Sequence, residues 1–197
     1  RIGKPATHLS GVLAFLTDLR YIRREIPYGE SLRSTKKTLY KIDDPFLNFW
    51  FTFIVAEKSR IDLGLASQSM GRIKKRLPSF VASEWEELCR QSVPFLDTDK
   101  EFSPAARWWG RGIDGTLMEI DVLAGSGDGK ILLAGECKWA EKEDINRLSG
   151  ELTKKIANLP FAKGHKIIPA LFLKNKPARF PTGLLIFGPE DVVAVLK

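Results

Sequence analysis

Two runs of alternating residues joined by a short turn constrain this chain more than any other feature. In Leu117 to Ala124 the apolar Met118, Ile120 and Val122 alternate with Glu119 and Asp121, the period-two pattern of a strand with one buried face, so Asp121 is expected to point away from the core stripe. In Ile131 to Trp139 the same alternation puts Glu136 and Lys138 on one face and Cys137 and Trp139 on the other. Gly125-Ser-Gly-Asp-Gly129 lies between them and is strong turn chemistry. The expected unit is an antiparallel hairpin with Asp121 opposite Glu136 or on the diagonal. Two carboxylates at that separation repel, which makes sense mainly if a cation sits between them.

That residue set suits metal-assisted phosphodiester hydrolysis. The reaction needs a water made nucleophilic near neutral pH and positive charge on the phosphate oxygens. Mg2+ or Mn2+ would be held by Asp121 and Glu136, with the backbone carbonyl of Cys137 as a further oxygen ligand. Lys138 would orient water, stabilise the phosphate, or act as a base if a neighbouring cation depressed its pKa. Glu86, in an amphipathic helix running from Phe80 to Cys89, is expected as the fourth member of the site, with Glu87 as the alternative if the helix phase differs. A solvated surface hairpin without chemistry also fits the spacing.

Charge points to a polyanion. The first 80 residues hold 15 of the 31 Lys/Arg and 7 of the 24 Asp/Glu, so all of the net charge of +7 arises there. Leu9, Val12, Leu13, Leu16 and Leu19 recur at helix spacing, and Tyr21 to Tyr28 and Thr38 to Ile42 read as short strands. The loop between those strands carries Arg33, Lys36 and Lys37. Helix, strand, basic loop and strand follow in the order of the second half of a winged helix, in which the loop grips DNA backbone. Winged helices also dock proteins, and a basic hairpin can simply be solvated.

Phe46 to Val55 is expected as a buried aromatic helix between two domains, capped by Asp43 or Asp44 with Pro45 in its first turn. Arg72 to Arg76, before Leu77-Pro78, reads as a helix end and linker. Beyond it the order is helix, three strands (the first from Ala105 to Gly110), helix (Glu143 to Leu159), two strands (Lys166 to Leu173 and Leu184 to Phe187) and a closing helix (Pro189 to Leu196). That order implies an α/β domain with a mixed sheet flanked by helices. No apolar run is long enough for a membrane span. Cys89 and Cys137 lack metal-ligand spacing and read as reduced core thiols, which points to the cytoplasm. With only His8 and His165, a histidine zinc cluster is not expected.

Asp121, Glu136-Cys-Lys138 and the helical Glu86 together resemble the PD-(D/E)XK nuclease superfamily of restriction-endonuclease-like folds, with Ile120 standing where the superfamily has proline. Tyr40 to Phe51, Trp85-Glu-Glu-Leu-Cys89, Trp108-Trp-Gly110, Glu119-Ile-Asp121 and Gly135-Glu-Cys-Lys-Trp139 resemble the C-terminal region of the archaeal-type ATPase family. In that family a P-loop ATPase domain precedes a winged helix and a nuclease-like domain. The resemblance implies a partial winged helix with its aromatic helix over residues 1–76 and a nuclease-like domain over 77–197. It also implies DNA as partner, an ATPase domain upstream in the same polypeptide, and an abrupt start that marks a fragment. Assembly into an oligomer is left open. Gly125 to Lys130 is not a nucleotide-binding loop, since its spacing is wrong and Ile131 stands where Ser or Thr should be. The expected function is a metal-dependent DNA endonuclease module, with a non-catalytic regulatory module of the ATPase as the alternative.

Overall fold

The alternation in the two hairpin runs does form strands, but both of their faces are covered. In the computed structural model, which describes residues 6–33 and 35–196, β4 (Leu117–Gly125) is buried without interruption from Ile120 to Ala124, and β5 (Ile131–Lys138) from Leu132 to Cys137. The expectation that Asp121 points away from the core is therefore corrected. Asp121 is only 7% exposed, because it lies in the middle of β4, where the layers on both sides of the sheet cover the strand.

The five-stranded sheet has the order β3-β4-β5-β6-β7, with β3 at Ala106–Arg111, β6 at Lys166–Leu173 and β7 at Leu185–Phe187. The first three strands are antiparallel and β5, β6 and β7 are parallel, so the sheet is mixed. The chain returns from β5 to β6 through helix α5 (Ile145–Ala157), the crossover that a parallel pair requires. Asp144 caps α5 by accepting the Arg147 N–H at 3.0 Å, a cap of a kind typically worth about 1 kcal/mol.

Helices cover the two faces separately. Trp85, Cys89 and Val93 pack with Val122, Leu133, Cys137 and Phe172 on one side, joined there by Val192 of helix α6 (Pro189–Ala194). Leu148 and Leu152 of α5 pack on Leu171, Leu173, Leu184 and Ile186. A third cluster joins Trp108, Ile120, Leu123, Ala134 and Leu159. The architecture is α/β, a mixed five-stranded sheet flanked by helices, as the element order implied.

Two compact units divide the chain: Arg1–Ile26 with Leu32–Phe80, and Pro27–Ser31 with Val81–Lys197. The first holds helix α1 (Ala6–Asp18) and the antiparallel pair β1 (Ile22–Glu25) and β2 (Leu39–Ile42). After Asp44, which caps by accepting the Leu47 N–H at 2.8 Å, come α2 (Pro45–Phe49), a π-helical stretch (Trp50–Val55) and α3 (Ala56–Asp62). The aromatic run is not buried as a whole. Phe53 is 1% exposed against Phe49 and Phe80, whereas Phe46 is 66% exposed and Phe51 55%. Apolar residues at nearly every position cannot all face one side of a helix.

The expected boundary after residue 76 falls inside helix α4 (Ala66–Ser92), which continues through Arg72 to Arg76 and through Pro78. Proline in a helix interior costs about 3 kcal/mol, and the long helix tolerates it because packing further along holds the segment in place. No helix among the described residues is long and apolar enough to cross a membrane.

Candidate functional site

The ladder between β4 and β5 pairs Val122 with Gly135 and goes no further toward the start of β4. Extending that register by one residue sets Asp121 opposite Glu136, as the turn chemistry implied. Past the last pair the Cys137 N–H donates to Asp121 Oδ2 at 2.9 Å, so the aspartate satisfies a main-chain donor as well as carrying charge. Alternation along β5 sends Cys137 toward Trp85 and Cys89 and leaves Glu136 and Lys138 on the face over which α5 runs.

Glu136, 8% exposed, lies between two ammonium groups. Lys138 Nζ donates to Oε1 at 2.9 Å, and Lys155 Nζ, from α5, donates to Oε2 at 2.6 Å. Burial, together with the neighbouring charge of Glu136, raises the Asp121 pKa above its ordinary value, and the Cys137 N–H and the two lysines only partly offset this. For Lys138, burial alone would lower the pKa, but the hydrogen bond and charge of Glu136, with Asp121, outweigh burial and hold the ammonium above its ordinary value. Lys138 is therefore a cation at neutral pH in this arrangement. Burial beside Cys89 pushes the Cys137 thiol far up, so it is a packing group without nucleophilic character.

Helix α4 supports the site from the other face. Arg90, 5% exposed, donates from Nη1 to the Asp121 carbonyl at 3.0 Å and pairs through Nη2 with Glu87 at 2.9 Å. Glu86 approaches the same guanidinium at 3.9 Å. Among the described residues no trio of His, Cys, Asp or Glu is placed to hold a metal ion, so neither Glu86 nor Glu87 completes a set with Asp121 and Glu136. The two glutamates flank the arginine that fixes the Asp121 main chain. Arg33, Lys36 and Lys37 lie exposed in the segment between β1 and β2, in the first unit.

Sequence reading missed Lys155 and Arg90. A signal for Lys155 was present: with Leu148 and Leu152 it falls at i, i+4 and i+7 on one face of α5. A lysine on a stripe that faces a sheet is a misfit unless an acidic partner waits beneath it. Arg90 carried a weaker signal, being spaced i+4 from Glu86 and i+3 from Glu87 but next to the buried Cys89.

The donor set decides what cation these residues fit. Asp121 and Glu136 are hard oxygen donors, and the pKa of Asp121 is raised first by burial and then by the charge of Glu136. Mg2+ commonly takes one or two protein carboxylates and fills its remaining positions with water and phosphate. The pair fits such an ion, provided that Glu136 releases an ammonium. Beyond the carboxyl ends of β5 and β6, where ligands of parallel sheets usually bind, lies a cavity of about 310 Å³. Glu141 and Glu143 line it together with Lys142 and Lys176, so its charge is mixed.

Residues 50–153 match the family described as Archaea bacterial proteins of unknown function, a span that includes Asp121, Glu136 and Lys138 and ends just before Lys155. The chain is also 28% identical over 160 residues to the uncharacterized protein MJECL04 of Methanocaldococcus jannaschii, over 78% of this chain and 35% of that protein. It thus spans about a third of the length of the curated relative it matches. No solved structure matches. Since the matched family segment covers more than half of its residues, this chain belongs to the DUF234 family of archaeal and bacterial proteins.

Proposed function

We propose that the second unit is a metal-dependent phosphodiesterase module of the PD-(D/E)XK kind and that the first unit is a partial winged helix that binds DNA. The observation that carries this reading is the buried Asp121 set beside Glu136 at the end of the β4-β5 ladder, with Lys138 on the same face as Glu136. A bound Mg2+ or Mn2+ would supply a water of lowered pKa and positive charge on the phosphate. Asp121 and Glu136 would hold it, and the Cys137 N–H fixes the direction in which the Asp121 carboxylate points. Lys138, kept protonated by its acidic neighbours, would place positive charge on the phosphate oxygens as they gain charge. Arg90 holds the Asp121 main chain in place from behind. As the resemblance implies, the module would belong to a larger polypeptide with an ATPase domain, and the greater length of the relative leaves room for one.

The experiment is a cleavage assay on plasmid, linear and branched DNA with Mg2+ or Mn2+. Wild-type protein should cut, and Lys138→Ala should lose about 10²-fold or more in rate, the scale expected for removing a group that stabilises transition-state charge. Equal products from both proteins, or none above a no-metal control, would refute the catalytic reading. One observation favours a non-catalytic DNA-binding module regulating the ATPase: both Glu136 oxygens are already occupied by lysines. DNA binding without metal binding would select that alternative.

For the first unit, replacing Arg33, Lys36 and Lys37 together by alanine should reduce the slope of log affinity against log salt for duplex DNA by about 2 to 3, one step for each phosphate that the loop no longer neutralises. Fluorescence anisotropy across a salt series reads this directly. A slope equal to wild type would move the DNA-binding surface off this loop.

A further inference from the structure

Glu136 has each carboxylate oxygen bonded to a different ammonium, one from its own strand and one from α5. Its side chain is 11% exposed, whereas those of Lys138 and Lys155 are 36% and 32% exposed. The acceptor is thus fixed in the sheet, while both donors hang on flexible four-carbon stems with access to water. With Asp121 added, the four groups are neutral overall. A divalent cation entering alone would leave a double positive charge in a largely buried place, which low polarisability makes costly. If a phosphodiester entered with it, part of that charge would be cancelled and an ammonium leaving Glu136 would gain a new acceptor.

We propose that Lys155 is a latch on Glu136: it holds the carboxylate closed to metal until a phosphodiester draws the ammonium away, so cation and phosphodiester bind cooperatively. The inference rests on the reading of Asp121 and Glu136 as metal carboxylates. Lys155 is the mobile half of the arrangement because it belongs to a helix outside the hairpin, whereas Lys138 is two residues from Glu136 on the same strand and already faces the phosphate in the proposed reaction. Lys155 is a positioning residue in this scheme. By reciprocity, whatever factor the phosphodiester adds to metal affinity, metal adds to phosphodiester affinity.

Calorimetric titration with Ca2+, a hard cation that takes the same oxygen donors, tests this without relying on turnover. Titrations are run with wild type, Lys155→Met, Lys155→Arg and Asp121→Asn, alone and with a saturating short DNA duplex, and each variant is checked for a cooperative melt. Without DNA, Lys155→Met should bind Ca2+ about tenfold tighter than wild type, and Lys155→Arg should match wild type. The duplex should tighten Ca2+ binding to wild type about tenfold, but to Lys155→Met by less than about threefold. Wild-type or weaker affinity in Lys155→Met, or equal tightening by DNA in both proteins, overturns the latch; the metal reading then survives only if Asp121→Asn abolishes binding. An absence of Ca2+ binding in every protein, with and without duplex, overturns both. The wild-type comparison with and without duplex stands even if a variant fails to fold, and no change on adding DNA overturns the latch.

Discussion

Asp121→Asn is expected to reduce any metal-dependent cleavage by about 10³-fold or more while making the protein more stable at neutral pH. The loss would follow from removing one of the two anionic oxygen ligands proposed for the metal. The gain follows from the same burial. Asp121 has a folded-state pKa raised by burial and by the charge of Glu136, so the folded protein holds a proton over a pH range where the unfolded chain has released it. Stability attributable to this residue is therefore greatest in acid, falls as pH rises from the unfolded value through the raised folded one, and stays at its minimum above both. Asparagine carries no such charge, and its side-chain oxygen can still accept from the Cys137 N–H. Relative to wild type the variant should gain about 1 kcal/mol at pH 7, a rise of roughly 2 to 4 °C in melting temperature, and the gain should shrink toward pH 4. Thermal melts across this range check it. A variant less stable than wild type at pH 7 would mean that the carboxylate is well satisfied in its buried place, against the reading that burial makes its charge costly.

The site's opposite dependence on charge for stability and for function explains why part of it was legible in the chain and part was not. Local chemistry located the hairpin: the five-residue turn of Gly, Ser and Asp set the register that pairs Val122 with Gly135, the residues next to Asp121 and Glu136. The strands β6 and β7, the helix between β5 and β6, and the order of elements followed from runs whose period or length admits few alternatives. What alternation could not give was the second covering layer. Glu119 and Asp121 both read as solvent-facing, yet only Asp121 is buried, because α4 and α5 cover the middle of β4 and not its start. Pro78 was misleading for a related reason. It is a local stop signal, overridden in α4 by distant interactions such as that of Trp85 Nε1 with the Phe172 carbonyl at 3.3 Å. Lys155 lies 19 residues from its partner, a pairing that helix phase could suggest but only the crossover of α5 could bring about.

Gly135→Ala should be the most damaging single methyl that this protein can receive near the site. Gly135 precedes Glu136 in β5 and sits between Val122 of β4 and Ala170 of β6. A Cβ there would lie 2.9 Å from Phe172 Cε2, closer than carbon atoms tolerate, and 3.1 Å from Val122 Cβ, a tight contact that needs a shift of a few tenths of an ångström. Neither neighbour can readily yield. Phe172 is fully buried and stacks on Phe187 at 5.2 Å, and Val122, also fully buried, is paired in the ladder with Gly135 itself. Overpacking of this kind costs about 3 kcal/mol, or roughly 6 to 12 °C in melting temperature. The strain can also be relieved by moving β5, which would carry Glu136 and Lys138 out of register with Asp121. A second substitution separates the two outcomes. Phe172→Leu makes room beside residue 135 while costing stability by itself, so the double variant should be more stable than the sum of the single changes by about 1 kcal/mol or more. If the double variant regains stability and also regains metal binding, the glycine serves the site by setting the position of β5. Simple additivity would instead mean that the sheet accommodates the methyl without pressing on Phe172, and that the close packing of β5 against β6 has no part in aligning the two carboxylates.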